Sequence, residues 1–416
     1  MKNAESISLS PKQRRFNSPL GKGLIGIPVY TNEPWIVILY LAIAYFSFIV
    51  LNPFLSLFIL SLLLLFIGGT SKHTSIHALL IFVLAFTIYY SSRNIGLWQG
   101  DDVVNYINMY LHDQDLSLAS IVNRFLLVNK SNEVLYFALM WVIGKLLNPE
   151  IHFLVFIIYF LQMAMLGVIA YFVSKRYAII FVIVFYFIGI GDPNLQILHL
   201  WRASFGTLVF MIGILLYFRG NAKAGRIIVF MSAGFHIGML IFIFVFELYN
   251  ILRRKSNYIQ TVALGAFIFI ITSSIGKIVV ETLSPIIENV YFQTLDDPLK
   301  GISIQAFVVI GALAANYYYK LSAVSRFVTF SLSMYFIFSI QFSKYSVLLS
   351  RSNQICRSIA AIVIFEIVMK QPKVVIVFLI GLPVLRKFLL PESEMFALMI
   401  PKYRDLFYGV FYILFM

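Results

Sequence analysis

Apolar runs of roughly twenty residues, the length that a membrane-spanning helix needs, recur along nearly the whole of this chain. A strand of a membrane β-barrel would instead need about ten residues that alternate between apolar and polar, and the runs here are apolar on all sides. Charged residues make up only 12% of the chain, against about 25% in soluble domains. The sequence therefore predicts an all-α, polytopic integral membrane helical bundle with about 11–14 transmembrane or re-entrant helices.

The charge balance is basic, with 32 lysines and arginines against 18 acids. Cytoplasmic loops of membrane proteins collect Lys and Arg, and anionic lipid head groups attract them. We therefore expect the lipid bilayer, and not nucleic acid, to be the partner of these cations. The single cysteine, Cys356, excludes an intrachain disulfide and a cysteine-based zinc site.

Two domains are predicted along the chain. Residues 1–33 are polar and basic, which predicts a cytoplasmic N-terminal tail. Residues 34–416 form the transmembrane domain, in which Asn52-Pro53 supplies a turn between the first two helices. Its longest polar loop, at about 91–132, is expected on the periplasmic side.

Two segments do not fit a simple crossing. The stretch 133–147 is short and carries Lys145, so a half-inserted or lateral helix is as plausible as a span. The apolar run 227–249 has cations at both ends, which both favour the cytoplasm. A re-entrant pair of half-helices with its turn near Gly234, Phe235 and His236 satisfies both ends, since irregular backbone is tolerated where it lines a cavity.

Three arginines, Arg202, Arg351 and Arg357, are predicted on the periplasmic side, the last two in a segment 343–357 that precedes a helix from about Ser358. Arginines are unusual on the periplasmic side and therefore call for a functional explanation. The planar guanidinium presents paired N–H donors that match phosphate oxygens. The functional interpretation is a phosphate or pyrophosphate ligand. The alternatives are lipid head groups and structural ion pairs.

Two histidines are candidates for proton transfer. His236 lies inside an apolar run, where an ionisable residue is a functional hypothesis by default. It can act as a general base, or it can simply bond a backbone carbonyl. His199 precedes Arg202 by three residues, which on one helical turn places them on a common face.

The acids and aromatics of the long loop allow several interpretations. Asp113 and Asp115 resemble a metal site of some sugar-nucleotide transferases, but solvated surface is the favoured interpretation, and we expect no metal and no cofactor. Tyr106 and Tyr110 follow Asp102 at intervals of four, on one face of a helix. They are typical of interfacial anchors or of a platform for sugar rings.

Several of these motifs together resemble one family. The loop GDDVVNYINMY, with Asp102, Tyr106 and Tyr110, resembles the G-x-D-x-x-x-Y-x-x-x-Y element of EpsG-like proteins, a branch of the Wzy-type bacterial polysaccharide polymerases. Elements around Glu133, Arg202 and His236, and then Arg351 and Arg357, follow in the order of that family, over about residues 85–365. One departure is Ala203, which stands where the family usually has glutamine.

The resemblance implies a GT-C-like polymerase architecture and a metal-independent glycosyltransferase activity. The enzyme would lie in the bacterial cytoplasmic (inner) membrane and, at the periplasmic face, transfer a growing glycan from undecaprenyl pyrophosphate onto a lipid-linked oligosaccharide repeat unit. A chain-length regulator protein is a further partner that the family implies. A flippase for the same lipid-linked oligosaccharide and an O-antigen ligase stay open as alternatives, as does the product, which is O-antigen, capsule or exopolysaccharide.

The resemblance also implies roles for individual residues. The predicted catalytic residues are His236, Asp102 and Glu133. The predicted substrate-binding residues are Arg202, Arg351, Arg357, Tyr106, Tyr110 and His199.

Overall fold

The protein is described by a computed structural model in which residues 34–96, 101–113, 117, 119–120, 133–188, 197–254, 256–283, 302–343, 345–389 and 405–415 are placed. Within these ranges the elements are helices, with no strand among them. In chain order they are α1 (Pro34–Val50), α2 (Pro53–Ile67), α3 (Lys72–Ser91), α4 (Asp102–Asp113), α5 (Val134–Leu147), α6 (Ile151–Val173), α7 (Ala178–Ile183, continued by a π-helical turn over Val184–Ile188), α8 (Trp201–Phe218), α9 (Ala222–Phe235), α10 (Met239–Leu252), α11 (Tyr258–Leu283), α12 (Ile302–Tyr319), α13 (Ala323–Gln341), α14 (Ser346–Val368), α15 (Lys373–Leu389) and α16 (Val410–Phe415). The predicted all-α membrane fold is confirmed, whereas the predicted tail 1–33 lies outside the described residues.

Five helices in the described ranges are long and apolar enough to cross a membrane, and these are α3, α6, α8, most of α11, and α13. Five shorter helices, α1, α2, α5, α7 with its π-helical turn, and α10, are also apolar. The chain is therefore an integral membrane protein. The number of its crossings stays a prediction.

Local signals set the boundaries of the first helices. The Asn52 side chain accepts the Phe54 N–H, and Pro53 occupies the first position of α2, where a missing N–H costs nothing. The helix ends at Gly68, whose φ of 77° requires a left-handed conformation that glycine adopts without strain. The predicted turn at Asn52-Pro53 is thus confirmed.

The loops of the bundle lie at two opposite ends. At one end the loop after α2 meets the loop after α6, where the Thr70 N–H donates to the Arg176 carbonyl and the Tyr177 hydroxyl donates to the Gly68 carbonyl. We call this the Arg176 end. At the other, called the Arg93 end, Arg93 after α3 bonds Tyr159 of α6 and the Leu198 carbonyl just before α8.

Helix α5 does not cross between these ends. It begins after Glu133, which contacts Arg202 at the start of α8. It finishes at Leu147, and two residues later the Pro149 carbonyl accepts the Tyr110 hydroxyl of α4. Both ends of α5 therefore lie near the Arg93 end, which favours the lateral alternative for 133–147.

Helices α9 and α10 form a hairpin of two short helices, as the charge pattern predicted. Both open at the Arg176 end, because Ala222 follows α8 directly and the Arg253 guanidinium lies over the Phe218 ring at 5.0 Å. Arg226 of α9 pairs with Glu247 of α10 at 2.8 Å across the hairpin. The tip falls at His236, where the backbone leaves helical geometry. The predicted pair of half-helices with its turn near His236 is confirmed, whereas its re-entry into the membrane stays a prediction.

Glycines let this hairpin approach α8 closely. A Cβ on Gly213 would meet the Val229 nitrogen at 2.7 Å, and one on Gly225 would meet the Tyr217 nitrogen at 2.4 Å. Near the tip, a Cβ on Gly206 would lie 2.9 Å from the His236 Cβ. Small residues are the usual means of close helix packing in membranes. Here they place His236 against the first turns of α8.

The predicted start of the helix after residue 357 is wrong. Helix α14 already begins at Ser346, so Arg357 and the backbone of Arg351 belong to a helix and not to a preceding segment. The run is polar enough to be misread, since it contains serine, asparagine and glutamine. A helix tolerates such residues when it faces protein, and Ile355 and Ser358 are both buried in the bundle.

Candidate active site

Glu133 is the centre of the candidate site. It precedes α5 as the N-cap residue, and its carboxylate accepts bonds from three groups instead of capping its own helix. Oε1 receives the Nδ1 of His236 at 2.7 Å and the Ile237 N–H at 3.4 Å, and Oε2 pairs with Nη1 of Arg202. Burial raises the pKa of the Glu133 carboxyl, but the His236 bond and the Arg202 charge outweigh it and hold the pKa below its ordinary value. Glu133 is therefore ionised at neutral pH.

His236 is fixed by this carboxylate. Because Nδ1 lies 2.7 Å from a carboxylate oxygen, Nδ1 carries the proton and Nε2 is left as the basic nitrogen of the neutral ring. The only interaction of the ring with a titratable group in the described residues is that with Glu133. Nε2 lies beside Gly238, where an added Cβ would stand 2.9 Å from it. A carboxylate–imidazole pair of this kind is suited to general-base chemistry.

Arg202, in the first turn of α8, lies on the other oxygen of Glu133. Its Nε donates to the Tyr106 hydroxyl at 3.3 Å, and its side chain is 22% exposed. The described bonds use Nη1 and Nε, and no described residue bonds Nη2. An arginine whose Nη2 has no bond from the described residues can still donate to an anionic ligand.

Tyr106 positions Arg202. Its ring stacks on Trp201 with centroids 5.7 Å apart and meets Tyr136 edge-on at 5.4 Å. Burial raises the pKa of the Tyr106 hydroxyl to about 12, so it is a neutral phenol at neutral pH. With 3% of its surface exposed, it offers little of a ring face to a sugar.

A second cluster lies next to the first, around Arg93 and Asp101. The Arg93 guanidinium pairs with Asp101, bonds the Tyr159 hydroxyl at 3.1 Å and bonds the Leu198 carbonyl. Asp101 also caps α4, since its Oδ1 accepts the Val103 N–H at 3.2 Å. The two charged side chains are 0% and 1% exposed. This cluster ties α3, α4, α6 and the start of α8 together.

His199 connects this second cluster to Asp102. Its Nδ1 lies 3.1 Å from the Asp102 N–H and 3.2 Å from Oδ1 of Asp101. An unprotonated Nδ1 accepts the N–H, whereas a protonated Nδ1 donates to the carboxylate. The Nε2 of the same ring lies 4.0 Å from Oδ2 of Asp102.

His199 and Arg202 do not share a helical turn, and that expectation was wrong. Residues 197–199 form a separate turn, and Leu200 has φ −107° and ψ 65°, outside the helical region, before α8 begins at Trp201. His199 consequently faces Asp101 and Asp102, while Arg202 faces Tyr106 and Glu133.

The structure brings six of the nine predicted site residues into one region. These are Asp102, Tyr106, Glu133, His199, Arg202 and His236. Tyr110 lies one turn along α4, buried, with its hydroxyl on Pro149. Arg357 is half-buried on α14, two residues after Ile355, whose side chain approaches Gly238. Arg351 lies one turn before Ile355, but its side chain is outside the described part of the chain.

Sequence reasoning missed Arg93 and Tyr159. Arg93 is a cation two residues after an apolar helix, on the side predicted to be periplasmic. The argument that singled out Arg202 therefore applied to it as well. Tyr159 carries no such signal, because it is one aromatic residue in a long apolar helix. Asp115, of the metal alternative, lies outside the described residues.

Comparison with known proteins gives one match. The model of the EpsG family matches residues 77–389, about three quarters of the chain, and includes every residue discussed above in both clusters. No curated protein and no solved structure matches the chain. The GT-C-like part of the predicted architecture therefore stays a prediction.

Proposed function

The chain belongs to the EpsG family, whose members have a polysaccharide-polymerase type of function, and from this premise we propose the reaction that it performs. The protein is a glycosyltransferase that transfers a growing glycan from undecaprenyl pyrophosphate to a hydroxyl of a lipid-linked oligosaccharide repeat unit. It works at the periplasmic face of a bacterial cytoplasmic membrane, which is the Arg93 end, with its N-terminus in the cytoplasm. The product class is O-antigen, capsule or exopolysaccharide.

One bond forms and one breaks in each cycle. The acceptor hydroxyl oxygen attacks the anomeric carbon of the donor sugar, and the bond from that carbon to the pyrophosphate oxygen breaks. The hydroxyl proton passes to Nε2 of His236, and the electron pair leaves with undecaprenyl pyrophosphate. General-base catalysis accelerates such a step by about 10²–10⁴-fold, and cations that meet the developing charge contribute further.

The observation that carries this proposal is the placement of a base and a cation on one carboxylate. Glu133 holds Nδ1 of His236 at 2.7 Å on one oxygen and Arg202 on the other. It therefore acts as a positioning residue, since its own oxygens are all engaged. The base and the arginine are therefore fixed relative to each other. Such fixed positions are needed to align the donor glycan with the acceptor hydroxyl.

The remaining predicted residues take roles around this core. We assign Arg351 and Arg357 to the pyrophosphate together with Arg202, because a double anion needs more than one cation. Asp102, whose side chain is 20% exposed beside His199, is assigned to hydroxyls of the acceptor. Tyr106 supports Arg202, and Tyr110 supports the loop at Pro149. A chain-length regulator is the proposed protein partner.

The first test is to delete the gene in its host and separate the surface glycans by size on a gel. A single repeat unit in place of the long ladder supports the polymerase. Free polymer that no longer reaches its final acceptor would indicate a ligase. Loss of surface repeats, with lipid-linked repeats accumulating on the cytoplasmic side, would indicate a flippase, and either result would overturn the proposal.

The second test returns a His236→Gln variant to the deletion host. Glutamine can still donate a hydrogen bond to Glu133 but does not accept a proton at neutral pH, so the polymerisation rate should fall by about 10²–10⁴-fold. His77→Gln is the matched control, because His77 is exposed at the start of α3 and bonds the His73 carbonyl at 2.8 Å. Full-length polymer from His236→Gln at the wild-type rate would show that His236 is not the general base.

A further inference from the structure

A cleft of about 810 Å³ opens at the Arg93 end, on the side of α4 away from Glu133. One wall is apolar and comes from α4, namely Val104, Ile107 and Leu111. The other lining near the α5–α6 loop includes polar groups, namely Asn148 and Glu150 of that loop and His152 in the first turn of α6, and these three are called the polar rim. Its volume lies within the range of about 300–1,000 Å³ that is usual for ligand sites.

The rim of the cleft is held in place by α4 itself. The Tyr110 hydroxyl donates to the Pro149 carbonyl at 3.2 Å. The Tyr110 ring also packs on α5, since a Cβ on Gly144 would lie 3.1 Å from its Cε2. Asn148 has a φ of +40°, a left-handed conformation that turns the chain from α5 towards α6. The polar rim is thus a fixed turn.

The lining groups favour a neutral, polyhydroxylated ligand. The Glu150 carboxylate disfavours an anion, and the Arg93 guanidinium at the base of the cleft already bonds Asp101, Tyr159 and the Leu198 carbonyl. Amide, carboxylate and imidazole groups bond hydroxyls, while the apolar wall suits the C–H faces of sugar rings. A lipid tail would leave the polar rim unmatched.

The cleft also adjoins the candidate active site. Arg93, which lines it, pairs with Asp101, and Asp101 contacts His199. Helix α4 separates the two, with Tyr106 towards Arg202 and Val104 towards the cleft. A glycan whose reacting sugar lies at His236 has to pass α4 to reach the cleft.

We propose that this cleft is a saccharide-binding subsite that holds sugars of the lipid-linked glycan beyond the reacting unit. The assignment rests on the proposed function. The sugars come either from the acceptor repeat unit or from the growing chain, and both sources offer the same hydroxyls and ring faces.

The test measures binding of the free repeat oligosaccharide, released from its lipid, to the full-length protein in bilayer discs by calorimetry. Val104→Trp fills the apolar side of the cleft, and binding should weaken at least about tenfold. Asn105→Trp is the matched control, because Asn105 is the exposed neighbour on α4 and does not line the cleft. Equal binding by both variants, or no binding by the wild type, would overturn the subsite. Because this readout needs no catalysis, it fails independently of the polymerase proposal.

A second variant guards against misfolding of Val104→Trp. Asn148→Gly removes the side-chain amide but suits the left-handed backbone at φ +40°. Loss of one hydrogen bond should weaken binding about threefold to tenfold. Unchanged binding by both Asn148→Gly and a folded Val104→Trp would overturn the proposal.

Polymerisation by the same variants identifies the source of the sugars. If the cleft holds the acceptor repeat, Val104→Trp slows the first coupling of two repeats and every later one. If it holds the growing chain, the first coupling is normal and products stop at short lengths. Normal rate and normal length in Val104→Trp would contradict the subsite.

Discussion

Two arginine–carboxylate pairs contact α4, one through Asp101 at its N-terminal cap and one through Tyr106, and they differ in their exposure. The side chains of Arg93 and Asp101 are 0% and 1% exposed, whereas those of Arg202 and Glu133 are 22% and 5% exposed. The partners of the first pair are the Leu198 carbonyl, the Val103 N–H of α4, the Tyr159 hydroxyl and the His199 ring. The second pair holds His236 and Tyr106, and Nη2 of its arginine has no bond from the described residues.

On the proposed function, this difference separates a structural pair from one that takes part in the reaction. A buried charge is costly unless it is paired and hydrogen-bonded. The Arg93 guanidinium pairs with Asp101 and bonds a hydroxyl and a backbone carbonyl while connecting four segments, although its Nε has no partner among the described residues. In the Arg202 pair, Nη2 has no bond from the described residues, and on the proposed function it donates to the pyrophosphate. Within one membrane protein, the exposure of the arginine thus distinguishes the two purposes better than its position in the sequence.

Breaking the buried Arg93–Asp101 pair, called the sealed pair below, should have the largest effect on folding. Arg93→Met leaves the Asp101 carboxylate buried without its cation, which costs about 3–5 kcal/mol. The expected result is loss of folded protein, measured as the monodisperse fraction after extraction in detergent and as its thermal unfolding midpoint. Arg226→Met is the matched control, since Arg226 is 58% exposed in its pair with Glu247 and should cost less than about 1 kcal/mol.

A double variant sharpens that prediction. Adding Asp101→Asn to Arg93→Met removes the uncompensated charge but keeps an oxygen for the Val103 N–H. Part of the folded fraction should return. If Arg93→Met unfolds at the same temperature as Arg226→Met, the sealed pair has no structural role of the kind argued.

Breaking the more exposed Arg202–Glu133 pair, called the open pair below, should preserve the fold and remove the activity. Arg202→Met leaves Glu133 with bonds from His236 and the Ile237 N–H, so the protein should still reach the membrane and extract as a folded species. The polymerisation rate should fall about 10²–10³-fold, as for loss of a group that meets developing charge. Arg202→Lys keeps the charge without the fork and should recover only part of the rate. Full-length polymer from Arg202→Met would contradict the assignment.

The sequence predicted the α9–α10 hairpin, but it did not predict the contact between Glu133 and His236 or the start of α14. Charge alone predicted the α9–α10 hairpin, because cations at both ends of 227–249 leave few alternatives in a membrane. The bond between Glu133 and His236 joins residues 103 apart in sequence, and no local pattern indicates such a contact. The family resemblance named both residues but not their pairing. The start of α14 was missed because hydropathy does not distinguish a polar loop from a polar helix that faces protein.

Gly238→Ala is the smallest change and the sharpest test of the open site. Its backbone, with φ −58° and ψ −16°, accepts alanine without strain, and alanine in place of glycine there should stabilise the fold by about 0.4–1 kcal/mol. The new Cβ, however, would stand 2.9 Å from Nε2 of His236. Since Glu133 holds the other side of the ring at 2.7 Å, the ring must tilt away from its position.

For Gly238→Ala we expect a polymerisation rate about tenfold lower at unchanged or higher thermal stability. A displaced base slows the reaction but does not lower the free energy of unfolding. Gly276→Ala is the matched control, since a Cβ there, on α11, meets nothing within 4 Å. That variant should keep the full rate. If Gly238→Ala polymerises as fast as Gly276→Ala, Nε2 is not the atom that receives the proton. The open pair would then position Arg202 alone, and the base would have to be sought beside His199 and Asp102.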